Sequence, residues 1–326
     1  IMENKILITG AGGYVGLNLV RYYCERGYMV HAVDRSESAI GRLLDFASAS
    51  EGKIQVSLFD VGDYTSILEA SSKCNWIIHC AAFKRVDVGR KFPCQLALEN
   101  LRAFFSVVQA AQANRVEKVL LCSTDKAATP KSVMGASKLL LERVASYSSN
   151  AHTTFASIRF ANILNSTGSL IPICISRLKE NRGLVIRDVS MTRYLIDSST
   201  TMNLVDHAMQ RMGPGDIFLP HVRSAKVLDI LHVLRALFCA RHHRDESDVL
   251  IKPVENVFDE NVDERMIAKE DLRFLRMEEG HSVLNYSSVV SDETHSSPAA
   301  KRLLSSSVDL ANRSELVELL HEMSIW

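Results

Sequence analysis

The first half of the chain alternates short apolar runs with longer stretches in which apolar residues recur at helical spacing. The runs predict buried strands over 5–9, 29–33, 54–59, 75–80, 118–123 and 156–160. Helical spacing is clearest over 95–114 and 135–149, and a shorter helix over 14–26 follows the first run. Strict alternation of strands and helices is typical of a parallel sheet covered on both faces. The pattern therefore predicts an α/β fold with a Rossmann-type, doubly wound parallel sheet.

The alternation loosens after about residue 165. Helices are predicted over 170–180, 199–212 and 225–240, a strand over 184–188, and a last helix over SELVELLHEM. We expect a dinucleotide-binding Rossmann domain over 1–165, with later strand contributions from about 184–220. The remainder, 166–326, would form a smaller α/β substrate-binding region, whose sequence diverges after about residue 240.

A glycine-rich turn joins the first strand to the first helix. It reads Thr9-Gly10-Ala11-Gly12-Gly13-Tyr14-Val15-Gly16. Gly10 allows a tight turn, Gly13 lets a pyrophosphate approach the backbone, and Gly16 lets helix and strand pack closely. The helix N-terminus then presents free N–H groups to the phosphates. The turn predicts a dinucleotide site that includes Gly12, Tyr14 and Val15; a merely tight strand–helix turn is the alternative.

Acidic and small residues at the ends of the next strands extend this site. Asp34 ends the second strand, where an acid binds the adenine ribose hydroxyls and favours NAD, whereas the adjacent Arg35 could pair with the 2′-phosphate of NADP. The two residues therefore favour different cofactors, and we favour NAD. Asp60, followed by Val61, could bond the adenine amino group or merely cap the third strand. Two small residues, Ala81 and Ala82, let the chain after the fourth strand pass close to the cofactor.

The segment after the fifth strand carries the candidate chemistry. Ligand-binding groups lie at the carboxyl ends of parallel strands, so Thr124, Asp125 and Lys126 should face the cofactor. An adjacent acid and amine form a plausible acid/base pair. A helix-capping loop with a surface lysine explains Asp125 and Lys126 equally well from spacing alone. Lys138, one turn into the next helix, is placed to reach a nicotinamide ribose.

Charge and cysteine usage exclude several classes of protein. Lys and Arg number 38 against 38 Asp and Glu, which argues against a dedicated nucleic-acid binder. No apolar run is long enough to span a bilayer, and the N-terminus does not read as a signal peptide. The seven cysteines are scattered without CxxC spacing, so we expect reduced thiols, a cytoplasmic protein and no metal site. The cluster Arg241–Arg244 reads as a solvated helix end.

Five motifs give the chain a recognisable resemblance. They are the glycine turn, CAAFKRV (80–86), STDKAATPKSVMGASK (123–138), RFANILNSTGSLIP (159–172) and SMTRYLI (190–196). Together they resemble the extended short-chain dehydrogenase/reductases over about residues 5–220. More narrowly, they resemble the UDP-N-acetylglucosamine 4,6-dehydratases of capsule, O-antigen and flagellar-glycan pathways. The superfamily's YxxxK motif reads Met134-x-x-x-Lys138 here, as in a branch that includes capsule enzymes able to epimerise C5.

The resemblance implies a redox-neutral elimination of water from a nucleotide sugar. Asp125 would be the acid at the C6 oxygen and Lys126 the base at C5. Thr124 would hydrogen-bond the C4 hydroxyl, Lys138 would hold the nicotinamide ribose, and Met134 would pack against sugar or nicotinamide. A lysine base needs a lowered pKa. We expect partial desolvation and a neighbouring ammonium, that of Lys138 or Lys84, to lower it.

On the substrate side the resemblance is less complete. It places Lys84 beside the sugar and both Asn162 and Arg193 near the diphosphate. Family members also carry an R-x-G-E-K motif whose arginine grips the diphosphate. Near 257–261 this chain instead reads Val257-Phe258-Asp259-Glu260-Asn261. Arg265 or Arg273 could substitute, so the exact sugar nucleotide stays open.

Three functions remain in order of preference. The first is a 4,6-dehydratase, with or without 5-epimerase activity, acting on a UDP-N-acetylhexosamine for polysaccharide biosynthesis. The second is another NAD(P)-dependent nucleotide-sugar epimerase or reductase. The third is a catalytically silent dinucleotide-binding subunit. The resemblance also implies a homo-oligomer, a dimer or a hexamer.

Overall fold

The computed structural model describes residues 4–50, 52–254, 260–290 and 297–321. The strands are β1 (Lys5–Thr9), β2 (Met29–Asp34), β3 (Ile54–Leu58), β4 (Trp76–His79), β5 (Lys118–Thr124), β6 (Thr154–Phe160), β7 (Asn162–Ile163), β8 (Leu184–Ile186), β9 (Thr192–Ile196), β10 (Ile217–Pro220), β11 (Ser224–Lys226), β12 (Ile251–Pro253), β13 (Leu275–Met277) and β14 (His281–Leu284). The helices are α1 (Tyr14–Glu25), α2 (Glu37–Ser48), α3 (Tyr64–Ala70), α4 (Val86–Lys91), α5 (Pro93–Ala113), α6 (Val133–Ser148), α7 (Leu170–Lys179), α8 (Ser198–Arg211), α9 (Val227–Arg241), α10 (Pro298–Leu304) and α11 (Arg313–His321).

A nine-stranded sheet forms the centre of the molecule. Its order is β13-β14-β10-β6-β5-β4-β1-β2-β3. Within this sheet the neighbouring strands β3, β2, β1, β4, β5, β6 and β10 run parallel. An antiparallel hairpin of β14 and β13 extends the sheet beyond β10. The chain reverses its direction of travel across the sheet between β1 and β4, which is where such folds bind ligands. The predicted Rossmann-type α/β fold is thus confirmed.

Alternating strand residues pack into two separate cores. Ile6 and Ile8 of β1 face a core that includes α1, α2 and α8, whereas Leu7 faces the core of α3, α5 and α6. All three side chains are fully buried. Strands covered on both faces are apolar throughout, which is why the first-half strands are readable as continuous apolar runs.

The later part of the chain adds smaller layers beside the carboxyl ends of the central strands. One sheet has the order β11-β9-β7, another pairs β12 with β8, and a third core joins α7, α9 and α11. The hairpin of β13 and β14, which the sequence did not predict, lies in a charge-rich stretch. Within the described ranges, no helix is both long and apolar enough to cross a membrane.

Candidate active site

Steric contacts require glycine at three positions of the turn after β1. Gly10 has a φ of +64°, and a Cβ there would lie 2.6 Å from the backbone nitrogen of Ala81. A Cβ at Gly16 would lie 2.2 Å from the carbonyl oxygen of Gly10. At Gly12 the collision is with a neighbouring helix, because a Cβ there would lie 2.1 Å from the Ala39 side chain. Its role is therefore close packing between the turn and α2.

The turn opens into a cleft of about 240 Å³ at the carboxyl edge of the sheet. The sequence-predicted cofactor residues that line it are Gly10, Gly13, Tyr14, Val15, Gly16, Asp34, Arg35, Asp60, Val61, Ala81 and Ala82. Lys84 also lines the cleft, whereas Gly12 and Lys138 do not. A glycine cradle that a Cβ would fill, with acids at one end, fits an extended dinucleotide.

Asp34 and Arg35, which line this cleft, are both engaged in contacts with neighbouring groups. The Asp34 carboxylate accepts hydrogen bonds from the backbone N–H groups of Gly12 and Ser36, each at 3.0 Å. Arg35 Nη1 lies 3.1 Å from Asp60 Oδ2 and 3.5 Å from Glu99 Oε2. Both acidic partners compete with any phosphate for the Arg35 guanidinium.

Thr124, Asp125 and Lys126 form a compact cluster where β5 ends. The Thr124 hydroxyl donates to Asp125 Oδ1 at 2.9 Å, and Lys126 Nζ contacts the same oxygen at 3.0 Å. Asp125 is only 1% exposed, and its Oδ2 has no hydrogen-bond partner among the described residues. Burial raises the pKa of Asp125, although the Lys126 ammonium opposes that rise. A buried carboxyl with a raised pKa is suited to hold a proton and donate it.

The surroundings of Lys126 contradict the expectation of a lowered pKa. Its Nζ lies 3.3 Å from Glu264 Oε1 as well as 3.0 Å from Asp125 Oδ1. Burial works against the charge, but the two carboxylates outweigh it and raise the pKa of Lys126 above its usual range. Of the two expected ammonium neighbours, Lys138 donates from Nζ to the Cys122 carbonyl oxygen at 2.7 Å, and Lys84 lies in the cleft beside the glycine turn. Lys126 is therefore held as an ammonium.

Lys138 and Met134 both point into the protein interior from α6. Lys138 is 5% exposed, and burial lowers its pKa. Burial also lowers the pKa of Lys84 in the cofactor cleft. Met134 is 4% exposed in the first turn of the helix, which agrees with a packing role.

The three predicted substrate residues lie in different surroundings. Lys84 is in the cofactor cleft, while Asn162 Nδ2 donates to the Tyr194 carbonyl oxygen at 3.1 Å. Arg193 is 8% exposed and contacts Glu260 Oε2 at 3.2 Å and Glu264 Oε1 at 3.7 Å. Its guanidinium also donates to backbone oxygens of residues 192, 261 and 262.

Two acids near the position expected for R-x-G-E-K join this network. Residues 257–259 lie outside the described part of the chain, but Glu260 also contacts Arg187 Nη1 at 2.6 Å. Glu264, 1% exposed, links Arg193 to Lys126. The sequence interpretation missed Glu264, because an acid in a charge-rich stretch carries no local sign of burial. The proposed substitutes Arg265 and Arg273 are exposed.

Comparison with known proteins gives one family. The family described as "Polysaccharide biosynthesis protein" matches residues 6–283. UDP-glucose 4-epimerase of Rickettsia bellii (strain OSU 85-389) is 30% identical over 252 residues, covering 74% of this chain and 73% of the relative. A protein of Methanocaldococcus jannaschii, named uncharacterized membrane protein MJ1061, is 28% identical over 275 residues, covering 83% and 82% of the two chains.

Solved structures share the fold at lower identity. Pen from Bacillus thuringiensis superposes with a TM-score of 0.90 at 22% identity and covers 99% of this chain and 98% of its own. DesIV, a dTDP-glucose 4,6-dehydratase from Streptomyces venezuelae solved with NAD bound, has a TM-score of 0.68 at 18% identity, covering 77% and 85%. The high TM-score with Pen extends over the C-terminal region, where the sequence pattern is least regular.

Proposed function

The chain belongs to the polysaccharide biosynthesis protein family of nucleotide-sugar dehydratases and epimerases, within the short-chain dehydrogenase/reductase superfamily, and we propose that it is a 4,6-dehydratase acting on a UDP-N-acetylhexosamine. The observation that carries this proposal is the buried cluster of Thr124, Asp125 and Lys126 at the end of β5. A dehydratase needs a proton donor at C6 and a base at C5, and this cluster supplies both groups within one turn of chain.

The residues of the glycine cleft would hold a nicotinamide dinucleotide. Gly13 would leave room for its phosphates, Gly16 lets α1 pack closely against the turn, and Asp34 would lie at the adenosine end. We favour NAD over NADP, because Asp60 and Glu99 occupy the Arg35 guanidinium that a 2′-phosphate would need. When bound, this group accepts a hydride from sugar C4 and returns it to C6, so no external oxidant or reductant is consumed.

The chain's own residues would handle the protons. Thr124 orients the C4 hydroxyl, and Lys138, whose pKa burial lowers, favours loss of the C4 hydroxyl proton. The resulting 4-ketone acidifies the C5 proton, which Lys126 removes. Asp125, whose pKa burial raises, then donates a proton to the C6 oxygen so that water leaves. Met134 cannot carry a proton, and its role would be to pack against the sugar or the nicotinamide.

An epimerase acting at C4 is the second candidate, and the name of the Rickettsia bellii relative favours it. Such a reaction needs no acid at C6 and no base at C5. The buried cluster of Asp125 and Lys126 would then have no chemical task, which is why we rank it below dehydration. The same cluster argues against a catalytically silent subunit.

Mass spectrometry separates these functions. The purified protein, loaded with NAD, is incubated with UDP-N-acetylglucosamine, UDP-N-acetylgalactosamine and UDP-glucose in parallel. A product lighter by one water supports the dehydratase. A product of unchanged mass with a new chromatographic position indicates an epimerase. Recovery of every substrate unchanged contradicts both enzyme functions.

A further inference from the structure

We propose that Glu264 accepts a proton from Lys126 and thereby converts that lysine into the base that removes the sugar C5 proton. The inference rests on the proposed dehydratase function. It assigns Glu264 as a positioning and proton-accepting residue that acts through Lys126 without touching the sugar. It also gives the charge-rich segment that begins at residue 260 a role in the reaction.

The geometry places Glu264 in a rigid, buried setting. Its Oε1 lies 3.3 Å from Lys126 Nζ, and its side chain is almost fully enclosed. The backbone N–H of Glu264 donates to the Ser306 hydroxyl at 2.8 Å, and the backbone N–H of Ser306 donates back to the Glu264 carbonyl oxygen at 2.9 Å. Asn261 Nδ2 approaches Oε2 at 3.4 Å. The carboxylate is therefore held against the lysine by its own backbone.

The resting charge state creates the need for a proton acceptor. Lys126 lies between two carboxyl groups, which raise its pKa and keep it an ammonium. An ammonium has no electron pair with which to remove a proton from carbon. Two described carboxyl groups contact Nζ, those of Asp125 and Glu264. Once oxidation at C4 has placed a proton on Asp125, that residue holds the proton destined for the C6 oxygen, so Glu264 is left as the acceptor.

The proposed sequence of proton transfers balances. An N–H bond of Lys126 breaks, an O–H bond of Glu264 forms, and the freed electron pair on Nζ takes the C5 proton. The C5–H electrons form the enolate, which expels the C6 oxygen as water with the proton of Asp125. Lys126 returns a proton to C5 as C6 is reduced, and Glu264 returns its proton to Lys126. The proton that the C4 hydroxyl releases at the start passes through the Thr124 hydroxyl, 2.9 Å from Asp125 Oδ1, to the Asp125 carboxylate, and it is the proton that Asp125 later gives to the C6 oxygen.

Charged groups on neighbouring elements tune this transfer. Arg193 of β9 lies 3.7 Å from Glu264 Oε1. Burial would raise the pKa of Glu264, but the cations of Lys126 and Arg193 hold it below its usual range in the ligand-free state. The carboxylates facing the group are those of Asp125, 3.0 Å from Lys126 Nζ, and Glu260, 3.2 Å from Arg193. A substrate diphosphate that draws Arg193 away would weaken the support for charged Glu264 and favour its protonation.

Glu264→Gln tests the proposal, because glutamine keeps the volume but cannot accept a proton. The variant and the wild type are incubated with NAD and UDP-N-acetylglucosamine in D2O. We expect deuterium incorporation at C5 and loss of water to fall by about 10²- to 10⁴-fold in Glu264→Gln, the range for a proton-transfer group. Reduction of the bound NAD in a single turnover, which reports oxidation at C4, should stay within about threefold of wild type.

Asp263→Asn provides the matched control. This neighbouring acid accepts a hydrogen bond from the Thr192 hydroxyl at 2.6 Å, whereas the acids that contact Lys126 among the described residues are Asp125 and Glu264. Its C5 exchange should equal that of wild type. If Glu264→Gln does not fold, Glu264→Asp carries the test: it should restore a fold like wild type, with slower exchange and a shifted pH profile. Wild-type exchange and an unchanged profile in either Glu264 variant overturn the proposal. A wild-type enzyme that neither exchanges C5 nor releases water instead removes the proposed function itself.

Discussion

Arg159 and Glu142 form a fully buried ion pair, with Arg159 Nη2 2.7 Å from Glu142 Oε2. The pair joins β6 to α6, the helix that carries Met134 and Lys138. Glu142 also accepts the Ser123 hydroxyl at 2.6 Å, and Arg159 Nη1 donates to the Met266 carbonyl oxygen at 2.7 Å. One buried pair thus connects the end of β5, helix α6 and the segment that contains Glu264.

Removing one partner should destabilise the protein strongly. We expect Glu142→Ala to lower the free energy of unfolding by about 3–5 kcal/mol, because Arg159 would remain buried without its counter-charge. Urea denaturation followed by circular dichroism measures the loss. The exposed pair Arg182–Glu180 is the control, and Glu180→Ala there should leave the free energy of unfolding almost unchanged. Equal losses in the two variants would contradict a structural role for the buried pair.

Comparing alanine substitutions at Gly10 and Gly27 distinguishes the effect of a steric collision from the effect of backbone strain alone. Gly10→Ala should disrupt the turn, since its Cβ would lie 2.6 Å from the Ala81 nitrogen. Gly27 also has a positive φ, of +85°, but no atom lies within 4 Å of a Cβ there. Gly27→Ala should therefore cost only about 1–2 kcal/mol of strain and keep cofactor binding. Titration of NAD by protein fluorescence compares the two variants.

Gly13→Val tests the position of the pyrophosphate. A Cβ at Gly13 would lie 3.2 Å from the Gly10 carbonyl oxygen, a tight contact that a local shift of a few tenths of an ångström would relieve. The two further methyl groups would point toward the space expected for the phosphates. We expect NAD affinity to fall at least tenfold with a nearly unchanged melting temperature. Unchanged affinity would show that the dinucleotide lies elsewhere.

Asp125→Asn and Lys126→Ala should separate chemistry from cofactor binding. Neither residue lines the glycine cleft, so NAD affinity should stay close to wild type. Each variant should lose about two to four orders of magnitude in water release. In the wild type, the rate of water release should also fall as the pH rises through the raised pKa of Asp125, since this carboxyl must be protonated to donate. Full turnover in either variant would contradict the role of that residue.

The sequence predicted the parts of the site that are contiguous in the chain. The glycine turn and the Thr124–Lys126 cluster each lie within one short segment, so their composition carries the signal. The contact between Lys126 and Glu264 depends on how distant segments pack, and no periodicity encodes it. The expected lowering of the Lys126 pKa was wrong for the same reason, since Glu264 supplies a second carboxylate. The division into domains at residue 165 stays a prediction.

His79 predicts a loss of stability in mild acid. It is fully buried at the end of β4, its Nδ1 lies 2.8 Å from the Thr9 hydroxyl oxygen, and desolvation lowers its pKa to about 3. The unfolded chain binds a proton near pH 6.5, whereas the folded protein does so only near pH 3. The stability from this group is thus complete above pH 6.5 and declines by up to about 1.4 kcal/mol per pH unit below it. Denaturant titrations from pH 7 to 4 should show a shallower decline in His79→Gln.

Met134 stands where the YxxxK motif has a tyrosine, whose phenol relays a proton. Substitutions at Met134 test whether the chain is a working enzyme without that phenol. The side chain is 4% exposed in the first turn of α6, where Ser132 caps the helix by accepting from the Gly135 N–H. A volume-conserving apolar replacement usually costs less than about 1.5 kcal/mol, so Met134→Leu should keep most water release. Met134→Tyr adds bulk to a packed position at about 1–3 kcal/mol and should not speed the reaction. Comparison of kcat and melting temperature for the three proteins decides between two interpretations. A rise of orders of magnitude in Met134→Tyr would identify a decayed dehydrogenase that regained its proton relay. A large loss in Met134→Leu at an unchanged melting temperature would assign a function to the sulfur itself.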